Sequence, residues 1–165
     1  MPAVTVPAVP AKVADLDESH EPEPSSHAPD PPVPGAVAFQ PAAPIFRQLF
    51  DRESSTYTYL IADSGTGEAI LIDPVLEQVD RDRQILWQLG LNLGYTMETH
   101  VHADHITGAH RLRELTNCSI LVPENAEVSD IDGYVRDGDL WIVAGQQLKA
   151  IATPGHTDSH KLKRT

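Results

Sequence analysis

A chain of 165 residues is long enough for one ordinary domain. Its 24 acidic residues outnumber 12 basic ones, and no basic patch stands out, so nucleic acid is excluded as an expected partner. No apolar run approaches the ~20 residues that span a bilayer, and the opening residues lack a secretory or transit pattern. With a lone cysteine, Cys118, unable to form an internal disulfide, the expectation is a cytoplasmic protein without a membrane segment.

Residues 1–44 hold eleven of the fourteen prolines, and six acidic side chains against the single base Lys12. With Phe39 as its only aromatic and no apolar periodicity, this stretch buries too little surface to offset its ordering entropy. It reads as a disordered, Pro- and acid-rich arm, leaving 45–165 as the folded portion.

Beyond the arm the pattern turns to short strands. Ile45–Phe50 and Tyr57–Ala62 are rich in β-branched and aromatic residues and flank a polar stretch, which predicts a hairpin. After a glycine-rich turn at 63–67, the apolar run Ala69–Ile72 predicts a strand buried on both faces. Pro74 then opens an expected helix through Val75, Val79, Leu86 and Leu89, closed by Gly90. A second unit follows, with a strand at Tyr95–Thr99 and a helix through Ile106, Ala109, Leu112 and Leu115 to Asn117. Ser119–Val122, Leu140–Val143 and Leu148–Thr153 complete the expected strands, giving an α/β sheet with helices packed on it.

Chemistry concentrates after the Tyr95–Thr99 strand, in Thr99-His100-Val101-His102-Ala103-Asp104-His105-Ile106-Thr107-Gly108. In extended backbone, residues two apart point the same way, so His100 and His102 can converge on one ion. Asp104 and His105 fall at the expected helix start, with Asp104 as N-cap. For an isolated histidine, chance is the simpler reading. Three histidines and an aspartate within six residues form a ligand cluster. A second motif, Thr153-Pro154-Gly155-His156-Thr157, presents His156 at a tight turn about fifty residues later. His110 and His160 read as surface residues, and His20 and His27 are too dispersed for a site.

The two motifs together resemble the metallo-β-lactamase superfamily, which implies an αββα sandwich. Further likeness in Ile45–Phe50, Thr56–Leu60, Ile72-Asp73-Pro74-Val75 and Glu98–Gly108 resembles its persulfide dioxygenase (sulfur dioxygenase) group. That resemblance implies an enzyme of hydrogen sulfide metabolism that oxidises glutathione persulfide with O₂. It implies one Fe(II) per chain held by His100 and His156, with His102, Asp104 and His105 outside the ligand set or vacant. The group's carboxylate ligand belongs to a later Gly-Asp turn without a counterpart here. The expectation is therefore a sandwich truncated to the first sheet, its helices and the start of the second. Such a chain would be impaired or inactive and prone to self-association through its exposed sheet.

An alternative is a glyoxalase II-type hydroxyacylglutathione hydrolase acting on another glutathione conjugate. It would have a dinuclear zinc centre on His100, His102, His156, Asp104 and His105. A third reading is a non-catalytic fragment.

Overall fold

The computed structural model describes residues 43–102, 105–143, 146–153 and 161–163. Residues 1–42 of the expected arm, Asp104, the Pro154-Gly155 turn, His156 and His160 lie outside the described residues, while Pro44, the arm's expected last residue, already belongs to the first strand.

The predicted hairpin forms from β1 (Pro44–Phe50) and β2 (Tyr57–Asp63), antiparallel, with Phe46 opposite Ile61 and Phe50 opposite Tyr57. Asp51 ties the turn, its Oδ2 accepting from the Ser54 amide at 3.0 Å and the Ser54 hydroxyl at 2.6 Å. β3 (Glu68–Ile72) pairs antiparallel with β2, as the glycine-rich turn requires. The chain then crosses over twice. α1 (Val79–Gln88) leads to β4 (Asn92–Met97), and α2 (Ala109–Thr116) leads to β5 (Ser119–Pro123). β4 and β5 run parallel to β3, and β6 (Gly133–Val135) extends the parallel set. The six-stranded sheet is ordered β1-β2-β3-β4-β5-β6. A second, antiparallel sheet holds β7 (Leu140–Val143), β8 (Gln146–Ala152) and β9 (Lys161–Lys163).

Alternation along the strands sorts the apolar side chains onto two faces. Ile61, Ile70, Met97 and Leu121 face the second sheet and pack with Trp141, Leu148 and Ala150. Leu60, Leu71 and Leu93 face the other way, beneath Val79 and Leu86 of α1 and Leu112 of α2. Helices on one side and a second sheet on the other give an α–β–β layering, the larger part of the expected αββα sandwich.

Three expectations need correction. Pro74 does not open α1: Val75 forms an isolated bridge with Thr107, a turn of 3₁₀ helix follows at Leu76–Gln78, and α1 begins at Val79. β4 ends at Met97 and does not reach Thr99. α2 begins at Ala109, with Gly108 as its N-cap residue, so Asp104 and His105 precede the helix. Gly108 is fixed there by space. A Cβ on it would lie 2.9 Å from Val79 Cγ2 and 3.0 Å from the Val75 carbonyl oxygen.

One carboxyl lies away from the site. Asp82, in the first turn of α1, is almost wholly buried, and that burial pushes its carboxyl up to about 6 despite Arg81 at 2.8 Å.

Candidate metal centre

The histidine loop hangs between two fixed points. Behind it, β4 is held in the middle of the sheet by β3 and β5. Ahead, the Gly108 amide donates to the Pro74 carbonyl at 2.7 Å, and the Leu76 amide donates to the Ile106 carbonyl at 3.0 Å. The span 98–108 is thus pinned at the carboxyl ends of β3 and β4, where open α/β sheets bind ligands.

The described histidines of the loop do come together, though by a different route from the one the sequence suggests. His100, in a bend, and His102 both lie in the loop beyond β4, so their convergence is made by the loop and not by strand alternation. Their ring centroids are 3.9 Å apart, and those of His102 and His105 are 4.2 Å apart. His105 also reaches across to the hairpin, its Nδ1 lying 3.2 Å from Thr56 Oγ1.

Two carboxylates that sequence reasoning left without a role complete the cluster. Asp73, at the end of β3, is 6% exposed and sits in left-handed backbone at φ 51°. A non-glycine residue rarely adopts that conformation, and Asp is among the few that tolerate it. Its amide donates to the Met97 carbonyl at 2.9 Å, and its carbonyl accepts from the Thr58 hydroxyl at 2.8 Å. So anchored, its carboxylate accepts from the Thr99 amide (2.6 Å, Oδ1) and the Thr99 hydroxyl (2.7 Å, Oδ2). Asp73 Oδ1 is also 3.1 Å from His102 Nε2.

Glu98 is the second. It is buried at the end of β4, accepts a short hydrogen bond from the Thr107 hydroxyl, and places Oε2 3.5 Å from His102 Nε2. Burial pushes its carboxyl well above the usual range; the Asp73 charge adds to the rise, while Thr107 and His102 oppose it. The signal for Asp73 was present in the Ile72-Asp73-Pro74 string at a strand end, but its partner lies 26 residues away.

The ligand atoms of Asp73, His100 and His102 all fall within 4.8 Å of one another. Two imidazoles and a carboxylate are a donor set suited to a divalent transition metal. The arrangement also selects a tautomer. The Thr99 hydroxyl has one proton, which it donates to the Asp73 carboxylate, so it accepts from His100 Nδ1 at 2.8 Å. This places the proton of a neutral His100 ring on Nδ1 and its lone pair on Nε2, ready for a metal. Thr99→Val should therefore weaken metal binding roughly 10–100-fold, the usual effect of losing the partner behind a ligating histidine. Titration with Co(II) or Zn(II) measures it, and unchanged affinity would show that Thr99 does not orient His100.

Residues 51–161 match the metallo-beta-lactamase superfamily. The chain is 44% identical over 113 residues to persulfide dioxygenase ETHE1, mitochondrial, of Bos taurus, covering 68% of this chain and 44% of that protein. It is 32% identical over 120 residues to a hydroxyacylglutathione hydrolase of Rhodopseudomonas palustris (strain BisB18), covering 68% and 44%. The crystal structure of ETHE1 from Myxococcus xanthus superposes with a TM-score of 0.68 at 53% identity, covering 71% of this chain and 52% of that one. The chain thus spans about half the length of these relatives. With its layered sheets, its histidine loop between β4 and α2, and this match over most of its length, the chain belongs to the metallo-beta-lactamase superfamily.

Proposed function

We propose that this chain carries the metal-binding half of a glutathione-dependent persulfide dioxygenase. The reaction would convert glutathione persulfide, O₂ and water to glutathione and sulfite. The observation that carries the reading is the 44% identity to a persulfide dioxygenase over a stretch that includes the whole histidine loop. Identity to the hydroxyacylglutathione hydrolase is lower, at 32% over a stretch of similar length.

His100 and His156 are proposed as the histidine ligands of one ferrous ion. The ion would supply redox electrons and open coordination positions for the two substrates. Asp73 acts through Thr99: both its oxygens already accept from that residue, which suits an orienting role. His102 rests between the carboxylates of Asp73 and Glu98, and His105 against Thr56. In this reading His102, Asp104 and His105 shape the site without holding the iron. In the dizinc hydrolase reading, they join the ligand set.

The proposal keeps the arm separate from a catalytic unit, with the boundary moved from 44/45 to just before Pro44, where β1 begins. Its site of action is taken to be the cytoplasm; among the described residues, no helix is long and apolar enough to cross a membrane.

Metal analysis and substrate choice decide between the readings. The chain should be purified alone and also joined to the remaining half of the M. xanthus relative. The expected result is iron in preference to zinc, oxygen uptake with glutathione persulfide, and no hydrolysis of lactoylglutathione. Zinc content with lactoylglutathione hydrolysis would transfer the assignment to the hydrolase.

A further inference from the structure

Against the histidine loop lies a cavity of about 90 Å³ whose apolar part has no role in the site so far. It lies at the carboxyl end of β5, beside the first residue of α2. Val122 and Ala126 belong to a small apolar core with Ala109, and Val128 packs against them. These side chains, with Ile120 and Pro123, form its aliphatic wall. The opposite wall is formed by His100, His102 and His105, with the Glu98 carboxyl beside them.

We propose that this cavity is the dioxygen pocket of the site, an assignment that rests on the dioxygenase reading. Size comes first. The space is smaller than the roughly 150 Å³ apolar cavity that takes up one benzene, so it suits a molecule of a few heavy atoms and not a tripeptide thiol. Chemistry comes second. The aliphatic wall offers no partner to the amides and carboxylates of glutathione, which would lose their hydration without replacement. A small apolar molecule loses nothing there. Apolar cavities of comparable scale stay dry and take up xenon or benzene. Position comes third, because the loop's three described histidines line the same space. A gas held against the aliphatic wall is therefore next to the metal loop, while the larger polar substrate must approach from elsewhere. Two substrates with separate approaches need not compete for one opening.

The test uses xenon as an apolar probe and oxygen as the substrate. Methyl NMR of the 165-residue chain under xenon pressure should show saturable shifts at Val122 and Val128. Val122→Phe and Ala126→Leu should each abolish those shifts. In the iron-loaded fusion with the remaining half of the M. xanthus relative they should raise the KM for O₂ roughly tenfold, the low end of what small steric changes do in apolar pockets, and leave the KM for glutathione persulfide unchanged. Ala126 lies in a loop, so its variant stays informative even if filling the β5 position prevents folding. Absence of xenon shifts in the unaltered chain overturns the pocket. So does oxygen uptake whose O₂ dependence is the same in the filled variants. No uptake with glutathione persulfide by any loaded preparation overturns the dioxygenase reading, and with it oxygen as the occupant, whether or not xenon binds.

Discussion

His100→Ala is expected to remove nearly all metal from the protein, whereas His105→Ala should leave most of it in place. The asymmetry follows from how each ring is held. His100 is the ring whose tautomer is set by a relay, from the Asp73 carboxylate through the Thr99 hydroxyl to Nδ1, which directs the Nε2 lone pair outward. That ordering is of use only if Nε2 ligates, and deleting the ring deletes the ligand. The loss should exceed the ~10–100-fold that follows removal of a supporting partner alone. His105 is instead turned toward the β1–β2 turn, with Nδ1 against Thr56 Oγ1. Its removal should loosen the loop and cost a hydrogen bond, on the order of 1 kcal/mol of stability. Metal content of the two variants, measured by mass spectrometry after loading, checks the difference. Equal losses would mean that His105 is itself a ligand, and would point to the dinuclear zinc centre.

Much of this was readable from the sequence, and the parts that were not share a physical reason. The strands β2 and β3 announce themselves through β-branched and apolar runs between turn residues. The crossover helices announce themselves through the spacing of Val79, Leu86 and Leu112. The loop histidines need no alignment to be noticed. Asp73 and Glu98 were passed over because their roles depend on parallel pairing of β3 with β4, which sets two strand ends side by side. No local pattern in the chain encodes that juxtaposition. An aspartate before an apolar helical pattern is the ordinary N-cap, which is the expectation for Asp104. The helix instead begins at Ala109, where Gly108 packs against Val75 and Val79 more closely than any side chain would allow. β6, at three residues, is too short for periodicity to detect.

The same sheet that positions the loop carries a half-exposed aromatic face, and it should drive self-association. Among the described residues β1 is an edge strand. Its pairing sets Phe46 opposite Ile61 and Phe50 opposite Tyr57, so both phenylalanines lie on the face whose continuation packs against the second sheet. Near β7 and β8 that face is covered. At the hairpin it is not: Phe46 is 45% exposed, Phe50 48% and Tyr57 45%. The rings already pack on one another, Phe50 with Tyr57 at 4.8 Å between centroids and Phe46 with Tyr59 at 5.9 Å, forming a continuous strip. Such a strip beside an open strand edge favours pairing with a like surface. Arg47 and Pro44 on the same strand blunt the edge but leave the face untouched. Sedimentation of the 165-residue chain is therefore expected to show dimers or larger species at micromolar concentration. Replacing both Phe46 and Phe50 by lysine removes two large apolar contacts from each copy and places like charges opposite each other. Association should weaken by at least ~100-fold, equivalent to about 2.8 kcal/mol, and return the chain to a monomer. Metal affinity should not change, since neither phenylalanine is among the candidate ligands. A chain that is monomeric without these substitutions, or that stays associated with them, would show that the aromatic face is not the contact surface.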